Sequence, residues 1–248
     1  MTTLIPVVSD IQYPLHDPRS VELAGKIIAD INATRVYCVG DELDNWQIGR
    51  WSKGYVEEYD GGLGLARDGV GKVLQGLGIT DVMRSNHGET RLRTYIKKYA
   101  PALDGLPEME YSAFMRFESL GIQYHDHPVE VAPGWLLVHG DEGGLIQTAG
   151  GTAMNIAKKS GFSIVCGHSH RMGIQHYHHA FSGSVTRELW GFEVGHLMDM
   201  EKALYLKGGF GNWQSGIGVL AVDGDNVTPI AVPFHNHRAY FDGKTYKA

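Results

Sequence analysis

Apolar residues in this chain come in short, unbroken runs, each closed by a polar cluster or a glycine. Residues 4–9, 35–39, 79–83, 135–138 and 163–166 are of this kind. A run of four to eight residues without alternation marks a strand buried on both faces, as in a parallel sheet covered by helices. Between the first two runs, Val21, Ala24, Ile27, Ile28 and Ile31 recur at helical spacing. Asp17-Pro18 ahead of them supplies an N-capping acid and a proline at the first helical position. Strand, helix, strand predicts a βαβ unit with parallel strands and a right-handed crossover. The spacing also predicts helices over 65–77, 89–99, 108–120 and 147–159, the last stopped by Ser160-Gly161. From residue 174 the pattern turns to strand-like alternation, over 174–181, 185–190, 217–222 and 227–232. Residues 45–64 read as a loop or insertion beside the strand ends. No repeat or linker interrupts the pattern, so one α/β domain over residues 1–248 is expected, its second half richer in antiparallel strands.

Composition narrows the function classes. The chain is 43% hydrophobic and 20% charged, enough to bury a sizeable core and against disorder. No apolar run approaches the roughly 18 to 20 residues that span a bilayer, and the first residues lack the basic segment of a signal peptide. With 22 basic and 28 acidic residues the net charge is −6, which argues against a broad nucleic-acid or anionic-membrane binder and leaves room for a local basic groove. Cys38 and Cys166 sit in apolar runs and read as small buried hydrophobes, in keeping with a reducing cytoplasm. Thirty-three glycines beside 13 histidines suggest tight loops that present ligands.

The polar clusters that close the five runs carry the chemistry. They are Asp10-Ile11-Gln12, Gly40-Asp41-Glu42-Leu43-Asp44, Ser85-Asn86-His87-Gly88-Glu89, His139-Gly140-Asp141 and Gly167-His168-Ser169-His170. In an open α/β sheet the strand C-termini line one edge, where ligands bind, so these distant residues can converge. Carboxylates, an amide oxygen and imidazoles suit Mn²⁺, Fe or Zn²⁺. Glycines let the backbone turn tightly beside such ions.

In order and content these blocks resemble the calcineurin-like metallophosphoesterase superfamily, whose pattern is Asp-x-His, Gly-Asp-x-x-Asp, Gly-Asn-His-Asp/Glu, a lone His after a strand, and Gly-His-x-His. The resemblance covers residues 1 to about 235, and Asn-Trp-Gln-Ser-Gly at 212–216 is similar to phage-encoded members. It implies a two-sheet α/β sandwich flanked by helices and two divalent ions, with Mn²⁺ favoured over Fe, Zn²⁺ or Ni²⁺. Asp41 would bridge the ions; Asp10, Gln12 and His170 would complete the first site, and Asn86, His139 and His168 the second. His87 would be the general acid, oriented by Asp44. The implied reaction is in-line attack on phosphorus by a hydroxide held between the ions.

The chain departs from the family at Gln12, where His is usual, and at Ser85, where Gly is usual. A Gln amide oxygen ligates more weakly than imidazole, and His16 is the alternative first-site ligand. Arg84, Arg91 and Arg171 adjoin the blocks and are weighed as phosphate-binding groups against ordinary surface charges. Trp46, Trp51 and Tyr13 are weighed as stacking faces for a base against packing residues. Glu89 reads as support for the following helix. His196 reads as structural, and His125/His127, His176/His178 and His235/His237 as polar faces or loops rather than further metal sites.

The resemblance implies a phosphodiesterase acting on small nucleotide-like diesters, 2′,3′-cyclic nucleotides among them. A phosphomonoesterase or protein phosphatase and a nuclease are the alternatives on this fold. A ligand-depleted scaffold is the alternative of another class. The expected partner is a small phosphoester, with nucleic acid not favoured and no membrane, in a bacterial host's cytoplasm if the chain is phage-encoded. The oligomeric state is left open.

Overall fold

The computed structural model describes residues 2–50, 52–59, 61–203 and 211–248. Its strands in chain order are β1 Thr3–Val8, β2 Tyr37–Cys38, β3 Asp81–Met83, β4 Gln123–His125, β5 Val129–Ala132, β6 Trp135–Leu137, β7 Ser163–Cys166, β8 Met172–Phe181, β9 Ser184–Val194, β10 Gly216–Asp223, β11 Asn226–Pro233, β12 Arg238–Phe241 and β13 Lys244–Lys247. The helices are α1 Pro18–Ile31, α2 Leu63–Gly76, α3 Arg91–Tyr99, α4 Tyr111–Phe114 and α5 Gly151–Ser160.

Two sheets stack face to face. The first has the order β11-β10-β1-β2-β3-β4, the second β5-β6-β7-β9-β8, and β12 and β13 form a separate hairpin. The strands β1 to β4 run parallel, as do β6, β7 and β9. The sandwich explains the unbroken apolar runs. Val7, Tyr37, Val39 and Met83 of the first sheet meet Leu137, Val165, Phe192 and Val194 of the second in the layer between them. Their neighbours Val8, Cys38 and Val82 point the other way, into a core shared with Leu23 and Ile27 of α1 and Val70 and Leu74 of α2. Ile164 and Cys166 pack likewise on Ala153, Met154 and Ala157 of α5. Each strand is thus apolar on both faces, and the layers run helix, sheet, sheet, helix. Both cysteines are free and buried, as expected. No helix among the described residues is long and apolar enough to cross a membrane.

The local signals behave as chemistry dictates. Asp17 caps α1, its carboxylate accepting the Arg19 N–H at 3.0 Å, with Pro18 in the first turn. The predicted helix over 108–120 is broken instead. Its regular part is only α4, and Arg116 adopts φ 58°, a left-handed value that ends helical winding. The break lets Phe117 stack on Tyr124 of β4, ring centroids 5.6 Å apart, while Tyr111 donates to the buried Glu42 carboxylate. Tertiary burial here overrides helical spacing. Among its described residues the segment after β2 contains only single helical turns at Trp46–Ile48 and Val56–Glu58 before α2 begins; Trp51 lies outside the described residues.

Helix α5 begins at glycines and has no capping side chain of its own. The cap comes from β9. The fully buried Glu193 carboxylate accepts the Gly150 and Thr152 N–H groups, both at 2.9 Å. An acid at a helix N-terminus satisfies orphan donors and complements the helix dipole. Glu193→Ala strips both buried N–H groups of their partner. It should lower unfolding free energy by about 3 kcal/mol, read from urea denaturation, since each charge-assisted bond is worth roughly 1.5 to 3 kcal/mol.

Candidate metal centre

The five polar blocks meet where the two sheets end together. Asp10 follows β1, Asp41 follows β2, Asn86 and His87 follow β3, His139 follows β6, and His168 and His170 follow β7. Hydrogen bonds across the sandwich hold them. The Asp10 carboxylate accepts from Ser9 Oγ at 2.6 Å and from the His168 N–H at 2.9 Å. Asp41 accepts the His87 N–H at 3.0 Å and Gln12 Nε2 at 3.1 Å. His139 Nδ1 donates to the Val39 carbonyl at 2.7 Å.

The backbone is bent to make this possible. Asp10, Gln12, Asp41, His168 and His170 all have φ between 50° and 64°. Non-glycine residues rarely adopt such values, and groups of them cluster at functional sites. Gly167 must be glycine for a separate reason. A Cβ there would lie 1.7 Å from Ser9 Oγ and 2.6 Å from Asp10 Oδ2.

Two observations test whether divalent ions fit. Ligand atoms of Asp41, His139 and His168 lie within 4.8 Å of one another. His139 Nε2 is also 2.8 Å from Asn86 Oδ1 and 3.3 Å from Asp41 Oδ2. With Nδ1 committed to a carbonyl, Nε2 is the nitrogen free to ligate, the usual arrangement of a metal-bound histidine. On the first-site side, Asp10 Oδ1, Gln12 Oε1 and His170 Nδ1 are buried with no hydrogen-bond partner among the described residues. His170 Nε2 stands 3.2 Å from Asp10 Oδ1. Buried acceptors without donors are costly, and a cation satisfies them. The donor set therefore fits divalent ions, and Gln12 is placed to offer its amide oxygen. His16, the alternative, stacks on Tyr13 with ring centroids 5.1 Å apart, and its buried Nδ1 likewise has no hydrogen-bond partner among the described residues.

Electrostatics point the same way. Burial alone would raise the Asp41 carboxyl, but the neighbouring His139 and His87 hold it well below the usual range. For His139, Asp41 outweighs the opposing effect of burial and lifts the imidazole to about 10, so a proton takes up the negative charge of the pocket. His87 is likewise raised: burial opposes, and Asp41 and the Asp44 hydrogen bond prevail. Its Nδ1 lies 3.1 Å from Asp44 Oδ2, and Asp44 is in turn held by Arg91. His87 retains 19% side-chain exposure while His139 retains none, so it stands at the mouth of the centre.

The remaining candidates fall elsewhere. Arg84 is paired bidentately with Asp141 at 2.7 and 2.8 Å, and Arg171 donates to the Ile146 carbonyl and to Gln147. With Arg91 on Asp44, all three guanidinium groups weighed for phosphate are thus committed to protein partners. Trp46 sits half-buried in the turn after Asn45, its Nε1 buried with no partner among the described residues. Glu89 accepts from the Tyr124 hydroxyl at 2.6 Å and pairs with Arg93, a structural role.

Two residues outside the predicted ligand set stand near the centre, Trp213 in the segment 212–216 and His196, which the sequence reads as structural. Trp213 packs 4.3 Å from the His170 ring. The motif segment around it was visible, but not that it folds over the His168–His170 turn. His196, fully buried, lies 5.5 Å from His170, ring to ring. Its Nδ1 accepts the Met198 N–H at 3.1 Å, so the proton of the neutral ring sits on Nε2. That nitrogen is a buried donor with no partner among the described residues. Burial and the nearby His170 hold the ring neutral, its pKa pushed down to about 3.

Comparison with known proteins finds full-length relatives. The chain is 34% identical over 256 aligned residues to the Gene 54 protein of Mycobacterium phage D29, and 33% identical to that of Mycobacterium phage L5, with all of both chains covered in each case. No family model matches. Among solved structures, Vacuolar Protein Sorting 29 from Cryptosporidium parvum aligns over 98% of this chain and 94% of its own, at 13% identity and a TM-score of 0.49. Vps29 of Chaetomium thermophilum aligns over 98% of both chains, at 11% identity and the same TM-score. At that identity over the whole of both chains, this protein belongs to the family of the mycobacteriophage gene 54 proteins.

Proposed function

We propose that the chain is a phosphoesterase of the calcineurin-like type that works with two divalent ions, Mn²⁺ favoured, and cleaves small nucleotide-like phosphodiesters. The observation that carries this reading is the pairing of unsatisfied buried acceptors, Asp10 Oδ1 and Gln12 Oε1, with the Asp41, His139 and His168 cluster. On this reading Asp10, Gln12, Asp41 and His170 hold one ion, and Asp41, Asn86, His139 and His168 the other. The ions, when bound, supply Lewis-acid polarisation of the phosphoryl group and activation of the attacking water.

The chain's own residues do the rest. Asp44, fixed by Arg91, turns His87 so that Nδ1 faces the carboxylate and Nε2 faces outward. A histidine held this way can donate its Nε2 proton to the departing ester oxygen. The Val39 carbonyl fixes the tautomer of His139. The diester preference draws support from charge. A monoester carries two negative charges near neutral pH, and a free guanidinium fork would match the second. Here Arg84, Arg91 and Arg171 are each bound to protein acceptors, which suits a singly charged diester better.

Metal-stripped protein titrated with Mn²⁺ should hydrolyse bis-p-nitrophenyl phosphate faster than p-nitrophenyl phosphate. Asn86→Ala should lower that activity by orders of magnitude with an unchanged circular-dichroism spectrum; near-wild-type turnover would refute the assignment. His87→Ala should cost about 100-fold or more on alkyl esters, the usual scale of general-acid catalysis, and much less on nitrophenyl esters. Equal losses on both would remove His87 from the acid role. Gln12→His should lower the Mn²⁺ concentration for half-maximal activity, and an unchanged titration would show that position 12 is not a ligand.

A further inference from the structure

The strands β8 and β9 form a long antiparallel hairpin. Its base is built into the second sheet, where Ile164, Val165 and Cys166 of β7 pair with Gly191, Phe192 and Glu193. Beyond the base the hairpin continues as an arm that β7 does not support, with residues 178–188 exposed. Antiparallel register places His176 opposite Trp190 and His178 opposite Glu188. His176 and His178, two positions apart, project from the same face of β8, and Glu188 joins them on that face from β9.

We propose that His176, His178 and Glu188 form a binding site for a borderline divalent cation of the Zn²⁺ type, separate from the centre at the strand ends. One ligand atom from each residue lies within 4.8 Å of the others. His178 Nε2 is 3.5 Å from Glu188 Oε1, and His176 Nε2 touches the same oxygen. Ligands about 2.1 Å from a tetrahedral Zn²⁺ stand roughly 3.4 Å from one another, so little side-chain movement closes the site. Two imidazoles and one carboxylate are a recognised zinc donor set, and three protein ligands leave a coordination position for water. The mixed nitrogen and oxygen set favours Zn²⁺, Ni²⁺ or Cu²⁺ over Mg²⁺ and Ca²⁺.

Orientation is provided from within the arm. The His176 ring stacks on Trp190, with centroids 3.8 Å apart and planes 8° apart. The two imidazoles meet edge to face at 4.3 Å, which turns their nitrogens toward a common point. The site is well removed from the strand-end centre. From Met172, where β8 begins beyond the His168–His170 turn, to His176 is four steps of extended chain, about 13 Å at the strand rise. Sequence spacing alone made His176 and His178 a polar strand face. The ligand that changes this is Glu188, ten residues further on and brought opposite by the hairpin register. The bound ion would cross-link β8 to β9 in the part of the arm that lacks a third strand, and so tie its two strands together.

Equilibrium dialysis against Zn²⁺, with bound metal counted by mass spectrometry, tests the site. The His176→Gln/His178→Gln double variant should hold one Zn²⁺ per chain fewer than wild type. Its Mn²⁺-dependent hydrolysis should be unchanged, since none of these residues belongs to the strand-end centre. Glu188→Gln should weaken the same Zn²⁺ at least tenfold. All three side chains are exposed, so the variants should keep the wild-type circular-dichroism spectrum. Equal Zn²⁺ content in wild type and double variant would overturn the proposal and leave a histidine–glutamate ion pair only. Full-affinity binding in Glu188→Gln would overturn the ligand set.

Discussion

Two buried carboxylates, Asp10 and Asp41, impose the constraint on which the rest of this structure depends. Each lies at the junction of the two sheets, each is essentially without solvent, and each must find donors within the protein. Asp10 finds one in the backbone of the opposite sheet, at His168. Asp41 finds two, from the Gln12 side chain and the His87 backbone. These bonds draw the loops after β1, β2, β3 and β7 to one place. They also exact the left-handed backbone at five polar residues, a strain of about 1 to 3 kcal/mol apiece where the conformation is sparsely populated. A fold with no use for the charge would be more stable with apolar groups there, as buried ion pairs are seldom stabilising in themselves. The strained, charged junction is intelligible as a site kept ready for cations.

Much of this was legible from the chain alone. The run at 163–166 coincides with β7, and Asp17-Pro18 starts α1 as its capping chemistry requires. These features are local, set by a few adjacent residues. The two-sheet arrangement comes by a different route, as what the family resemblance carried by the order of the five strand-end blocks implies. That order implied strands converging on one edge, and the described structure brings the blocks together there.

What escaped notice depended on partners remote in sequence. Arg84 looks like a free cation until Asp141, 57 positions away, is seen to hold it. Glu193 looks like one strand residue among many, yet it caps a helix that begins more than forty positions earlier. The strands β4 and β5 and the hairpin β12–β13 are short, and none of them is an unbroken buried run, so they carry little hydrophobic signal. The helical spacing over 108–120 is real but subordinate, because the chain turns left-handed at Arg116 and Phe117 stacks on Tyr124 of β4. His196 became informative only when the hydrogen bond from Met198 fixed which ring nitrogen carries the proton.

The position of β1 bears on how the molecule comes into being. It is an interior strand, paired on one side with β2 and on the other with β10, whose residues are more than two hundred positions away. On the ribosome, β1 emerges first and can pair with β2 early. Its other edge stays bare until β10, more than two hundred residues later, has been made. Bare edges invite pairing with neighbouring chains, and contacts so distant in sequence form slowly. Asp10, at the end of that strand, also waits for the His168 turn before its charge is neutralised by hydrogen bonds. The site therefore cannot take its shape until the chain through His170 has been made, and a product truncated before that turn would carry the earlier motifs without the pocket.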